Sequence, residues 1–367
     1  MENKTKVLLV APTPPPYGGI ANWTLLIKKN IKKHPEVELL GSVNIAPRIA
    51  VLEGRNLGDR VVGQGVEMFK LNKTLKERIR KEKPDVIHIT TSGQLAIIRD
   101  ILFLKNAKKA KVPTVYHIRF GRIPEIAEAN TLEWKLMRRA VRLASTTMAI
   151  DENTYKALKK YCRKASICKV PNPFDISAIE GIVETGHSSE TRKIMFLGWC
   201  VKTKGIEELF AAWEAIHEHY PGWMLEIVGP AEEVYLKSLK EKYSMQQVLL
   251  LGEKNHNEAL KLLRETDVFI LPSYTEGFPN AVLEAMALEK PIIATDVGAI
   301  SEMLASDCGI LIKPQNTDEI INALNVLLPN EDLRLELGRN ARKHLEKEYT
   351  IDIVFEQYKA VWKEASS

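Results

Sequence analysis

Short apolar runs rich in Val, Ile and Leu alternate with amphipathic stretches along the chain. "KVLLVAP" is apolar at nearly every position and too short for a helix, so it predicts a strand covered on both faces. A glycine turn, "YGGI", follows. "ANWTLLIKKNIKK" then places Trp23, Leu26, Ile27 and Ile31 at helical spacing. "PDVIHITT", "VPTVYHIRF" and "STTMAID" predict further strands, "TLKERIRKEK" a helix, and "ASICKVPNPFD" a strand ending in a proline-bounded turn. The second half restarts the rhythm. "RKIMFLGW" predicts a strand and "KGIEELFAAWEAIHEHY" a long amphipathic helix. "WMLEIVGP", "VLLLGE", "DVFILPS", "KPIIATD" and "CGILIKP" predict short strands, most of them separated by helical patterns. Apolar strands with intervening helices predict parallel sheets covered on both faces, and two such runs predict two Rossmann-like domains.

The predicted α/β domains span residues 1–175 and 190–345, with a helix over 346–367. "GIVETGHSSETRK" is polar and reads as the linker between them. Ligands of open α/β sheets bind beyond the carboxyl ends of the strands. Gly18 and Gly19, residues 90–93 and 117–121, Asn172, Gly198, Gly229 and the turn at 273–279 all fall at such ends, in both halves. The expectation is two facing domains with a cleft between them.

Charge divides the chain more sharply than composition does. The net charge of the 367 residues is +5, but residues 1–180 carry +16 and residues 181–367 carry −11. The basic clusters "KKNIKK", "KTLKERIRKEK", "KNAKKAK" and "RRAVR" fit a solvated helical surface, or attraction to an anionic membrane or a phosphorylated acceptor. Nucleic acid is not an expected partner, because no basic motif is interleaved with aromatic residues. No run approaches the roughly eighteen apolar residues of a membrane span. The amino-terminal "VLLVA" is too short for a signal peptide and is followed by prolines. Cys162, Cys168, Cys200 and Cys308 lack metal-finger spacing. A cytoplasmic protein with free thiols is expected, with peripheral contact at the inner face of the plasma membrane as an option.

The candidate chemistry centres on "SYTEGFPNAVLEAMALEKPIIATD", residues 273–296. Its turn leaves the carboxyl end of a predicted strand and enters a helix. The helix N-terminus offers unpaired N–H groups and partial positive charge to a phosphate. Glu276 lies just before that terminus, and Glu284 lies about two turns further on. The carboxylate of Glu284 suits a diol such as a ribose. The plain alternatives are a helix-capping Glu276 and a surface Glu284.

"EGFPNAVLE" resembles the Glu-x7-Glu motif of the retaining glycosyltransferases of family four, which have the GT-B fold. The resemblance covers essentially the whole chain and is strongest from Lys193 to Pro314. It implies that Glu276 contacts the transferred sugar and Glu284 the donor's ribose. It also implies that backbone N–H groups of Gly277, Phe278 and Asn280, around Pro279, surround the diphosphate. "GWCVKTKGIEEL" is similar to the family's Gly-Arg-x4-Lys-Gly segment: Gly198, Lys204 and Gly205 match, while Trp199 stands at the arginine position. By this resemblance Lys204 stabilises the charge on the leaving diphosphate and Lys202 assists. "PPPYGGIAN" resembles the first glycine loop, where Gly18 and Gly19 admit a phosphate or the acceptor. His117, in "TVYHIRFGRI", matches a histidine that hydrogen-bonds the donor sugar from the acceptor-side domain. Its plain alternative is a buried structural histidine. Arg119 and Arg122 are weaker candidates for an anion. His88 reads as structural or acceptor-side, and Asn172, in "VPNPFD", as a shaping residue between domains. "YTIDIVFEQYKAVWKE" resembles the family's helix that crosses back to the first domain.

No Asp-x-Asp pair of the metal-holding kind occurs in the chain. No metal or other cofactor is therefore expected, with Lys204 and the helix N-terminus supplying the positive charge. The implied function is retaining transfer of a sugar from a nucleotide-sugar, with UDP favoured over GDP. The implied acceptor is a saccharide or lipid-linked saccharide in surface polysaccharide biosynthesis. The alternatives are a nucleotide-sugar epimerase of the same fold and a non-catalytic nucleotide-sugar binding protein, the latter suggested by Trp199. A dinucleotide-dependent oxidoreductase ranks low, because no Gly-x-Gly-x-x-Gly follows a predicted strand.

Overall fold

The computed structural model describes residues 4–15, 18–46, 57–182 and 191–366, and of residues 57–64 the backbone only. The chain divides into two compact units. The first comprises residues 1–173 and 351–367, and the second comprises residues 174–350.

The first unit is a six-stranded parallel sheet in the order β2-β1-β3-β4-β5-β6. Its strands are β1 (Thr5–Ala11), β2 (Val37–Asn44), β3 (Val86–Thr91), β4 (Thr114–Ile118), β5 (Thr146–Ala149) and β6 (Ser166–Lys169). The helices between them are α1 (Gly19–Asn30), α2 (Leu57–Glu82), α3 (Ala96–Lys109), α4 (Ile123–Glu128), α5 (Leu132–Leu143) and α6 (Glu152–Tyr161). Strand β1 shows why the run "KVLLVA" is apolar throughout. Leu8 and Val10 face one core cluster, which includes Leu75, Phe103, Leu104 and Trp134 from the helices. Val7, Leu9 and Ala11 face another cluster, which includes Trp23, Ile27, Phe355, Tyr358 and Trp362. Alternate residues of a strand point to opposite faces, so a strand covered twice has no polar side. Strand β2, "VELLGSVN", is not among the strands expected from the sequence. It lies at the sheet's edge and mixes polar with apolar positions.

The second unit repeats the plan with the order β12-β11-β10-β7-β8-β9. A short helix α7 (Ser177–Glu180) precedes it, and residues 183–190 of the expected linker lie outside the described residues. The strands are β7 (Arg192–Leu197), β8 (Trp223–Val228), β9 (Val248–Gly252), β10 (Val268–Leu271), β11 (Ile292–Thr295) and β12 (Ile310–Ile312). The helices are α8 (Ile206–Ile216), α9 (Glu233–Lys242), α10 (His256–Arg264), α11 (Asn280–Ala287), α12 (Ile300–Met303), α13 (Thr317–Leu327) and α14 (Glu331–Glu348).

The final helix, α15 (Ile351–Ser366), follows the second unit in sequence but belongs to the first. The expected closing helix begins at residue 346. In the structure α14 runs on to Glu348, and the helices part at Tyr349 and Thr350. Val354, Phe355, Tyr358, Val361 and Trp362 form the buried stripe of α15, at helical spacing.

The order of strands reverses direction beside β7 in the second unit, where β10 pairs on the side away from β8. It reverses beside β1 in the first unit, between β2 and β3. Crevices at such reversals are where open α/β sheets hold ligands.

Candidate active site

The loops leaving β7 and β10 flank the reversal of the second sheet. After β7 the chain passes Gly198 and Trp199, makes a 3-10 turn at Lys202–Lys204, and starts α8 after Gly205. Gly205 has φ +71°, and a Cβ there would lie 2.0 Å from the carbonyl oxygen of Pro272. Only glycine lets this turn close onto the chain leaving β10. The amide of Tyr274 donates to the carbonyl of Thr203 at 2.9 Å and ties the two loops together.

That contact brings Lys204 to Glu276 across 72 positions of sequence. The Lys204 ammonium donates to Oε1 of Glu276 at 2.5 Å, and the Ser273 hydroxyl donates to the same oxygen at 2.7 Å. The lysine side chain is 27% exposed and the carboxylate 10%. Both bonds fall on Oε1. A third loop braces the turn: Thr295 donates to the carbonyl of Ser273 at 2.6 Å, and the amide of Ala299 donates to the carbonyl of Gly277 at 2.9 Å. Gly298 lies against it with φ +59°, where a Cβ would meet the carbonyl of Glu276 at 2.4 Å.

Pro279 is the N-cap of α11, and no side chain caps the helix. Glu276 therefore does not cap it; its bonds go to Lys204 and Ser273. The first turn carries no acidic residue, so the partial positive charge at Asn280 is not offset by a carboxylate there. Phe278 is buried against Tyr349, with ring centroids 5.4 Å apart.

Glu284 is buried on α11, not a surface residue as its plain alternative holds. Its Oε1 bonds Nε2 of His256 at 3.0 Å. That hydrogen bond raises the proton affinity of the imidazole. His256 is not among the residues expected from the sequence. Its position was partly legible, because Asn255 and Glu258 form a capping box that fixes the start of α10. Its pairing with a glutamate 28 positions away was not. Lys202 is mostly exposed and lies 3.8 Å from Glu207, so it is not part of the Lys204–Glu276 cluster. Trp199 is 66% exposed. Gly198 and Gly229 form a close backbone crossing, since a Cβ on Gly229 would lie 1.8 Å from the carbonyl oxygen of Gly198.

The first unit places its candidates differently. Gly18 precedes α1 in extended backbone, where a Cβ would have nothing within 4 Å among the described residues, and Gly19 is the first residue of the helix. Neighbouring residues 16–17 lie outside the described residues. His117, in β4, is fully buried. Its Nδ1 lies 3.1 Å from Nε2 of His88, and its Nε2 has no partner among the described residues. Burial pushes both imidazoles down, His88 to about 3, and the neighbouring Arg119 adds to the effect. Arg119 is half-buried and stacks on Trp23 at 4.8 Å, and its Nη1 also lacks a partner among the described residues. Burial lowers its guanidinium to about 10, so it stays charged at neutral pH. Arg122 is bound to Glu133 at 3.2 Å, and Glu133 also accepts from the amide of Gln94 at 2.8 Å. It braces a turn and is not a free anion site. Asn172 is buried in the same unit.

Burial pushes the thiols of Cys168, Cys200 and Cys308 up to about 11, and all four cysteines are unpaired. Among the described residues no helix is long and apolar enough to cross a membrane, and no three His, Cys, Asp or Glu side chains gather as metal ligands.

Two family models match the chain: "Glycosyl transferases group 1" over residues 180–344 and "Glycosyltransferase Family 4" over residues 41–178. The chain is 27% identical over 264 residues to the putative teichuronic acid biosynthesis glycosyltransferase TuaC of Bacillus subtilis, covering 69% of this chain and 63% of that one. It is 28% identical over 171 residues to the capsular polysaccharide biosynthesis glycosyltransferase CapM of Staphylococcus aureus, covering 46% and 45%. The matches thus span between about half and just under two thirds of those relatives' lengths. A match to the UDP-Gal:alpha-D-GlcNAc-diphosphoundecaprenol alpha-1,3-galactosyltransferase of Escherichia coli runs over 301 residues at 25% identity, covering 76% and 75%. Among solved structures, Anabaena Alr3699/HepE in complex with UDP aligns at TM-score 0.70 and 18% identity, covering 98% of this chain and 100% of that one. That likeness shows the GT-B fold: two parallel-sheet Rossmann-like domains.

Proposed function

For this chain, which belongs to the family four, group 1 glycosyltransferases and has the GT-B fold, we propose a retaining transfer of a sugar from a nucleotide-sugar donor. The acceptor in this reading is a saccharide or lipid-linked saccharide in surface polysaccharide biosynthesis. One observation carries it: the Lys204–Glu276–Ser273 cluster sits beside the uncapped N-terminus of α11, at the strand-order reversal of the second unit.

In this reading the backbone N–H groups of Gly277, Phe278 and Asn280 receive the diphosphate. Glu284 accepts the ribose hydroxyls, sharing its carboxylate with His256. Glu276 orients the transferred sugar through its hydroxyls. Lys204 moves from its pairing with Glu276 to the leaving phosphate, where developing charge makes the contact stronger in the transition state. The reaction is a front-face substitution. The acceptor oxygen bonds to the anomeric carbon, the bond from that carbon to the phosphate oxygen breaks, and the hydroxyl proton passes to the leaving phosphate. Lysine and helix N-terminus provide the positive charge, so transfer proceeds without a metal ion. His117 and Arg119 supply two donors with no partner among the described residues of the first unit, for oxygens of a saccharide or phosphate. Gly18, at the start of α1, has open space around it among the described residues, and Gly19 follows as the first residue of the helix.

The donor is taken as a UDP-sugar. The Anabaena protein is solved with UDP and with UDP-glucose, and the Escherichia coli relative is named for UDP-Gal. Peripheral contact with an anionic membrane at the cytoplasmic face is supported by the basic first half. There Lys76, Arg80 and Lys83 line a groove of about 400 Å³ beside Asn106. Salt-insensitive failure to sediment with anionic liposomes would remove that part.

A second reading, donor binding without transfer, is favoured by the exposed Trp199 at the position where the family carries an arginine. One experiment separates the readings. Wild type and Glu284→Ala are melted with UDP, GDP and ADP, and nucleotide release from the sugar conjugates is followed with saccharide and lipid-linked saccharide acceptors present. A UDP shift lost in the variant, with turnover unaffected by chelator, supports the transferase. A shift without turnover supports the binding protein, and no shift in a folded sample sinks both.

A further inference from the structure

Three side chains of the first unit form a hydrogen-bonded series that fixes where one proton sits. Trp362, on α15, donates its indole Nε1–H to Nδ1 of His88 at 2.9 Å. An indole nitrogen only donates, so Nδ1 of His88 is an acceptor and carries no proton. The ring proton of a neutral His88 is then on Nε2. That atom faces Nδ1 of His117 at 3.1 Å. His117 Nδ1 must in turn accept, which leaves its own proton on Nε2. Nε2 of His117 is buried and has no partner among the described residues.

The surroundings enforce neutrality. Trp23 packs with its centroid 5.2 Å from His88 and 5.4 Å from His117, and Tyr358 lies 6.0 and 5.9 Å from them. The charged group acting on both is the cation Arg119, which opposes a second proton on either ring. An unmet buried donor costs free energy, so the Nε2–H is an unused hydrogen bond within the protein.

We propose that Trp362 and His88 are positioning residues: they lock His117 as the Nε2–H tautomer, so that it donates one hydrogen bond to a sugar hydroxyl oxygen. The last helix of the chain thereby sets the polarity of a histidine on β4. The ligand half rests on the sugar-transfer reading above; the tautomer half does not. Were the series reversed, His117 would present a lone pair and would favour a ligand proton in place of a ligand oxygen.

The test is nitrogen NMR of the full chain labelled in histidine. In the free protein, His88 and His117 are expected as neutral Nε2–H forms. Trp362→Phe keeps an aromatic ring but removes the donor, and it is expected to turn the single His117 form into a mixture. His88→Leu is expected to do the same. His88→Gln, whose amide accepts on oxygen and donates on nitrogen, is expected to retain the Nε2–H form, a rescue that packing alone does not produce. A His117 proton on Nδ1 in wild type, or an unchanged tautomer in both Trp362→Phe and His88→Leu, overturns the proposal. If one variant fails to fold, the other decides.

The ligand half uses UDP, UDP-glucose, and UDP with free glucose, with His256 as the reporter of the nucleotide site through its bond to Glu284. A His117 Nε2–H shift with UDP-glucose but not UDP assigns the oxygen to the donor sugar. A shift only with free glucose assigns it to an acceptor-type saccharide. A response at His256 with none at His117 overturns the ligand half. No response at His256 to any nucleotide overturns the donor-site reading and the ligand half together, while the tautomer result stands.

Discussion

The two units hold histidines under opposite rules. In the first unit His88 and His117 are sealed among Trp23, Tyr358 and Trp362, and burial drives their proton affinity down. In the second unit His256 is about half exposed and leans on a carboxylate, which drives its proton affinity up. The same residue type is thus a fixed neutral dipole in one place and a titrating charge in the other. Burial sets the first behaviour and a hydrogen bond to a carboxylate sets the second. The second unit's site runs on charge, with Lys204 on Glu276 and His256 on Glu284. The histidine series of the first runs on oriented neutral hydrogen bonds.

The sharpest way to break this contrast is to remove charge where it matters. On the transfer reading proposed above, Lys204→Met is expected to lower kcat by about 10²–10³-fold, as for loss of one transition-state donor, with any UDP-induced rise in Tm retained. Retained activity in a steady-state transfer assay would put the charge elsewhere.

Backbone demands differ between the units in the same way. Gly229→Ala combines φ +142° with a Cβ 1.8 Å from the carbonyl of Gly198, and is expected to cost about 3 kcal/mol in denaturant unfolding. Gly18→Ala, in extended backbone with open space, is expected to stay within about 0.5 kcal/mol. Equal costs would mean that the two glycine loops are built alike after all.

Acid distinguishes the histidines. The folded-state values of His88 and His117 lie below the ordinary histidine value of about 6.5. Unfolding then takes up protons, so their contribution is complete above that pH and is lost as pH falls from it toward about 3, the folded value of His88. The loss is about 1.4 kcal/mol per pH unit for each proton. Replacing His88 by Gln is expected to flatten that slope by one proton in a series of melts.

The smallest effect is the most local. His256 has the opposite sign: its raised affinity adds stability below its unfolded value and loses it as pH rises through the folded one. Glu284→Gln is expected to bring the His256 titration midpoint down toward the ordinary value. An unmoved midpoint in an NMR titration would separate His256 from Glu284.

Much of this site was legible before folding, for identifiable reasons. The strand "DVFILPS", its turn and the helix "AVLEAMALE" are contiguous, so Glu276 and Glu284 declare their spacing directly. Lys204 was reached only through a resemblance, and His256 not at all. Their contacts span 72 and 28 positions, and no local period encodes such a distance. Arg122 looked available for an anion because Glu133, eleven positions on, could not be placed beside it.

By itself the sequence determined the alternation of buried strands and amphipathic helices, the two-sheet plan and the order of chemistry along the chain. These follow from side-chain period and turn residues, which are local. The tertiary structure alone decided that Gly205 lets one loop touch another, that Lys204 meets Glu276, and that α15 returns Trp362 to His88. A proton's place on His117 is the extreme case. It depends on a tryptophan 245 positions away, because a tautomer is chosen by the partners folding supplies and not by the residue itself.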